Sequence, residues 1–161
     1  MNVTGVLESG IYVDDVPRSV EFYRRVFGFQ QLEGDDRFCA LSVARQQVFL
    51  IFKKGGSLHP MPMPGGVLPP HDGTGQTHFA FSVPADELPA WEQRLEENGV
   101  PIESRVAWPR GGRSIYFAIS TAISENSLPQ AAGPLTRCAR LRSFGATSRT
   151  FGGPMLRLCS A

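Results

Sequence analysis

A chain of 161 residues with 42% hydrophobic content is long enough to bury the core of one ordinary domain or of two small, intimately packed modules. A formal net charge of +1 without any block of like charges argues against nucleic acid as a partner, and Cys39, Cys138 and Cys159 show no metal-like spacing and are an odd count, which argues against a disulfide framework. No signal-type leader or membrane-length apolar run is visible, so the expected setting is cytoplasmic, with no membrane partner.

The first predicted element is Leu7–Val13, which alternates with period 2. Leu7, Ile11 and Val13 share one face with Ser9, while Glu8, Gly10 and Tyr12 share the other. Asp14-Asp15-Val16-Pro17 then reads as a helix entrance, with Asp15 or Asp14 as N-cap and Pro17 in the first turn. Val16, Val20, Tyr23 and Val26/Phe27 form the apolar stripe, and Gly28 is a natural stop. Three short strands follow over 29–33, 37–43 and 46–53, with turns at Gly34-Asp35-Asp36 and Ala44-Arg45. Residues 55–76, rich in proline and glycine, read as a long connecting loop or a lid. Its His59, His71 and Asp72 are either solvated or part of a site.

The second half repeats the first. Thr77–Val83 places Phe79, Phe81 and Val83 on one face and His78, Ala80 and Ser82 on the other. A helix entered at Pro84-Ala85-Asp86 carries Leu88, Trp91 and Leu95 and ends at Gly99. Strands over 101–107 and 113–117 flank a turn at Trp108–Gly112, and by analogy a fourth strand should come from 118–130. Glu8 and His78 hold the same register position, and Glu8 to Gly28 spans 20 residues against 21 from His78 to Gly99. The pattern is one supersecondary unit used twice. The predicted organisation is a first module over 1–54, a connecting loop over 55–76, a second module over 77–130 and an atypical, poorly ordered tail over 131–161.

A carboxylate and an imidazole from equivalent strands are ordinary ligands for a divalent metal such as Zn, Mn, Fe, Ni or Co. Two ligands are too few for tight binding, and each also reads as structural: Glu8 as a strand-edge carboxylate, His78 as a hydrogen-bonded histidine. Tyr12 is either a hydrogen-bond donor to a ligand or a wall residue. Arg110 and Arg113, beside Trp108 and Gly111-Gly112, suit an anion-recognising rim or a solvated turn. Cys39 lies in an apolar strand and reads as an inert buried thiol. No phosphate loop, Ser-His-Asp order or paired CxxC is present, and no general base is identifiable.

Tyr12-Val13-Asp14-Asp15, Glu21–Phe29, His78-Phe79-Ala80-Phe81 and Trp108–Phe117, set in two βαβββ modules, resemble the vicinal oxygen chelate superfamily. That group includes glyoxalase I, the fosfomycin- and bleomycin-resistance proteins and the extradiol dioxygenases. The resemblance covers residues 5–117 and implies an α+β fold of paired βαβββ modules whose curved mixed sheets surround a cavity. It also implies a small-molecule substrate or ligand, a homodimer, and a divalent metal held by Glu8 and His78. That metal would act as a Lewis acid in a lyase, isomerase or dioxygenase reaction on vicinal oxygens. Tyr12, Trp108, Arg110 and Arg113 would then meet the substrate. The alternatives are a metal-free drug-binding protein and an inactive gene product. Leu50 stands where glyoxalase I has a glutamate, which leaves a three-ligand arrangement whose last member should be a glutamate in the final strand.

The resemblance stops at Phe117. Residues 1–117 carry 11 basic and 14 acidic residues, a net −3, whereas 118–161 carry five arginines and one acid, a net +4. Counted from Phe117, the expected glutamate falls on Asn126, one residue past Glu125, the only carboxylate available as third ligand there. Codons for Ala118–Ala131 can be chosen so that a neighbouring frame reads Arg-Asp-x-x-Gly-His-x-x-Glu-Leu-Ala-Thr-Pro-Gly, the form this segment takes in the resembling families. The tail therefore reads as translated out of frame, with the last strand of the second module altered or missing. Sequencing the coding DNA is expected to show that Gly-His-x-x-Glu-Leu run in one alternative frame after codon 117; its absence from both would end the idea.

Overall fold

A computed structural model describes residues 1–75, 77–109, 111–119 and 155–160. The first module runs β1 (Glu8–Val13), α1 (Val16–Phe27), β2 (Gln30–Gly34), β3 (Phe38–Val43) and β4 (Gln47–Lys53). Its sheet order is β1-β4-β3-β2, with β1 parallel to β4 and the remaining pairs antiparallel. Local chemistry sets the boundaries. The Asp15 carboxylate accepts the Arg18 backbone N–H at 3.0 Å, capping α1, and Gly28 ends it at φ 69°. Between β2 and β3 the Asp35 carboxylate accepts the backbone N–H groups of Arg37 and Phe38 at 2.7 and 3.1 Å. The Arg37 N–H, chiefly, holds that carboxyl below the usual range.

The connecting segment is not structureless. It contains a hairpin of β5 (Met61–Met63) and β6 (Gly66–Leu68). Pro62 is tolerated because the hairpin has only two strands, each with an unpaired edge. The second module runs β7 (His78–Val83), a 3-10 turn over Ala85–Glu87, α2 (Leu88–Glu97), β8 (Ile102–Ala107), β9 (Arg113–Ala118) and β10 (Met155–Ser160). Its order, β7-β10-β9-β8, reproduces that of the first sheet, again with the first and last strands parallel. The structure is α+β with paired modules, as the repeat implied.

The last strand differs from expectation. The strand between β7 and β9 is Met155–Ser160, whereas the expected source, 118–130, lies outside the described residues beyond Ile119. The physical reason is alternation: Leu158 is fully buried while Arg157 and Cys159 sit on the opposite face at intermediate exposure. Residues 120–154, including Glu125, lie outside the described residues.

The modules share one core. Tyr23, Phe27 and Phe29 reach across from the first module to Phe81, and Phe27 also meets Trp91 and Phe117 at ring separations of 5.7 and 6.2 Å. Arg94 of α2 donates to the carbonyls of Val26 and Arg25, satisfying acceptors that the end of α1 leaves open. Beside this cluster a cavity of about 420 Å³ opens between the modules, walled by Phe27, Phe29, Phe49, Phe79, Phe81 and Trp91. Among the described residues no helix is long and apolar enough to cross a membrane.

The Tyr23 hydroxyl is buried with no hydrogen-bond partner among the described residues, and burial pushes its phenol far above the usual range. An unsatisfied buried hydroxyl costs roughly 1–3 kcal/mol. Tyr23→Phe is therefore expected to leave stability unchanged or raise it by about 1 kcal/mol, read as an upward shift of the urea midpoint. A clear fall in the midpoint would show that the hydroxyl is bonded.

Candidate functional site

In β1, Ile11 and Val13 pack under α1, which turns Glu8, Gly10 and Tyr12 to the opposite face of the sheet. The parallel register sets Glu8 beside Val48, Gly10 beside Leu50 and Tyr12 beside Phe52. Tyr12 and Phe52 stack at 5.5 Å. The connecting segment folds onto this pair: the His71 ring meets Phe52 edge-on at 4.6 Å, and its Nδ1 shares a 2.8 Å hydrogen bond with the Tyr12 hydroxyl. Gly73 lies so close that a Cβ there would stand 2.5 Å from the Tyr12 ring. Asp72 ties the segment down by accepting the Gly55 N–H at 2.9 Å. Burial first, and the Asp72 charge second, raise the Tyr12 phenol above its ordinary value, so it stays protonated as a hydrogen-bonding hydroxyl. The structure thus seats His71 over the first sheet, while His59 is exposed.

The equivalent face of the second module carries His78, Ala80 and Ser82 on β7, Arg157 and Cys159 on β10, and Ser114 and Tyr116 on β9. Arg157 organises it. Its guanidinium lies over the Trp108 ring at 4.8 Å and the Tyr116 ring at 5.5 Å. Its Nε donates to Ser114 Oγ and its Nη2 to Cys159 Sγ, each at 2.9 Å. Trp108 Nε1 donates to the same Ser114 Oγ at 2.8 Å, and that hydroxyl stands 3.3 Å from Cys159 Sγ. Two acceptances and one donation use the full capacity of a serine hydroxyl, which explains how Ser114 is buried at 1% exposure. The His78 ring lies 6.2 Å from Tyr116.

Of the residues singled out in the sequence, Tyr12 and Trp108 each sit in a built cluster, one per module. Glu8 and His78 both open their strands on the face away from the helices, and both are exposed. Among the described residues no three His, Cys, Asp or Glu side chains are grouped as a metal would need. Arg113 has the register parity of Ile115 and Phe117, not that of Ser114 and Tyr116, and Arg110 and Glu125 lie outside the described residues. Arg157, His71 and Cys159 were not among the site residues read from sequence as ligand contacts. The alternation of Leu156-Arg157-Leu158-Cys159 was the available signal for the first and last of these.

A paired βαβββ architecture with a ligand-type residue opening each module defines a class, and the comparisons agree. The chain belongs to the Glyoxalase/Bleomycin resistance protein/Dioxygenase superfamily, whose model matches residues 5–121. It is 35% identical over 91 residues to a catechol-2,3-dioxygenase of Bacillus subtilis (strain 168), a match covering 56% of this chain and 30% of that protein. The chain therefore spans under a third of that relative's length. Among solved structures, a lactoylglutathione lyase from Agrobacterium tumefaciens superposes with a TM-score of 0.70 at 22% identity, covering 99% of this chain and 96% of that one. The fosfomycin resistance protein FosX from Listeria monocytogenes, complexed with Mn(II) and sulfate, superposes with a TM-score of 0.58 at 14% identity, over 99% and 91% of the two chains. Both structural likenesses are likenesses of fold.

Proposed function

We propose that this chain is a metal-independent small-molecule binding protein built on the fold of a metalloenzyme superfamily. The observation that carries the reading is the identity of residue 157. Register makes Ala80↔Arg157 the counterpart of Gly10↔Leu50, just as His78↔Met155 is the counterpart of Glu8↔Val48. The position corresponding to Leu50 on the last strand is where the resemblance calls for a third, carboxylate ligand, and here it holds a guanidinium. An arginine has no lone pair to give a metal and remains protonated. A like charge about one strand spacing from a divalent ion, roughly 5 Å, opposes binding by several kcal/mol even at an effective dielectric near 20. The described residues therefore do not fit the divalent metal that the family implies.

Other features support binding without a metal. The inter-module cavity of about 420 Å³ has aromatic walls and lies within the size range of small-ligand sites. Leu158 contributes to that cavity from the same strand that carries Arg157, so the strand shapes the apolar space as well as changing the charge. The metal-dependent reading keeps one point in its favour, the shared register of Glu8 and His78.

Elemental analysis of protein purified without chelator is expected to find well under one equivalent of Zn, Mn, Fe, Ni or Co. A neutral apolar fluorophore such as N-phenyl-1-naphthylamine should bind equally before and after EDTA dialysis. A stoichiometric metal whose removal abolishes binding would overturn the proposal.

A further inference from the structure

We infer that the second sheet carries an organic-anion site, distinct from the apolar cavity, centred on Arg157 and suited to a planar carboxylate such as an aromatic acid. It rests on the metal-independent reading in one respect only: no cation occupies the space beside Arg157.

Guanidinium geometry carries the argument. Arg157 spends its Nε and one Nη2 hydrogen on Ser114 Oγ and Cys159 Sγ, both on the protein side of the group. The Nη1/Nη2 edge remains, a two-pronged donor whose spacing matches the two oxygens of a carboxylate. Among the described residues no carboxylate is paired with Arg157; the ion pairs recorded there are Arg37–Asp35, Lys54–Asp14 and Arg105–Glu92. The group is also pre-organised. Two anchoring hydrogen bonds and two aromatic faces restrict its rotamers before a ligand arrives, which lowers the ordering cost of binding.

The surroundings select the rest of the ligand. Trp108 is 41% exposed despite its contact with Arg157, and Tyr116 is half-buried, so both rings retain accessible surface beside the charge. A planar ring attached to the carboxylate can lie against them. The His78 imidazole, next to Tyr116, adds a polar group on the same face. A phosphate or sulfate would meet the charge but leave the aromatic surface uncovered, which favours the aromatic carboxylate over a small inorganic anion.

Calorimetric titration of the full chain with benzoate, and separately with neutral, near-isosteric benzamide, tests the site. Benzoate is expected to bind about tenfold more tightly, the worth of one charge-assisted hydrogen bond, and to weaken as NaCl is raised while benzamide does not. Arg157→Gln should bring the two ligands level, and Arg157→Lys should recover only part of the preference. Should the variants fail to fold by circular dichroism, wild-type protein still decides. Equal affinity for benzoate and benzamide, or a preference that survives Arg157→Gln, overturns the site. The fluorophore titration on the same samples separates the two claims: its persistence alongside lost anion selectivity removes this site alone, whereas a retained metal removes the reading beneath it.

Discussion

Each module depends on one constraint, the parallel insertion of its last strand between its first and third. That placement is what brings β4 beside β1 and β10 beside β7 in matching register. Because side chains alternate with period 2, the same insertion divides the two faces. Phe49 and Ile51 in the first module, and Leu158 in the second, go to the helices. Leu50 and Arg157 go to the other face, alongside the residues that open each module. A slip by one residue in β10 would send the guanidinium into the aromatic core and Leu158 to solvent, an exchange costly at both ends. The face chemistry of the second module therefore follows from its core packing.

The core that enforces this register is shared. Phe27 stands at the end of α1 and meets aromatic rings from α2, β7 and β9, while Arg94 reaches back to the carbonyls at the end of the same helix. The contact is therefore both apolar and hydrogen-bonded, and it joins the two repeats at the point where each helix leaves its sheet. Such a junction leaves the opposite faces available for ligands. In the first module that face is apolar and aromatic, partly covered by His71; in the second it is polar and cationic, built on Arg157.

Much of this was legible in the sequence. The N-cap at Asp15, the left-handed stop at Gly28 and the buried stripe through Val20, Tyr23 and Val26 follow from local chemistry, and the repeat gave the second module from the first. The equivalent positions of Glu8 and His78 were visible from register alone. The hairpin at Met61–Leu68 is obscured because Pro62 stands inside its first strand, although Pro64-Gly65 is an ordinary turn dipeptide. The final strand was hidden for a different reason. Local alternation in Met155–Ser160 is clear, but pairing it with β7 across more than seventy residues is a non-local event that no short window reports. The same non-local pairing hides Arg157, so the arginines that the sequence brings forward are Arg110 and Arg113 beside the turn.

The account turns on one charge at one position, and reversing it is the direct test. On the reading proposed above, Arg157→Glu would place a carboxylate where the guanidinium now stands and supply the third donor that the resemblance expects beside Glu8 and His78. Mn(II) titration followed by electron paramagnetic resonance reads the free hexaaqua ion. The wild-type chain is expected to leave that signal undiminished, and the Arg157→Glu chain to remove about one equivalent of it. Loss of signal with the wild-type chain, or none with a folded Arg157→Glu chain, would contradict the assignment of residue 157 to the metal-ligand position.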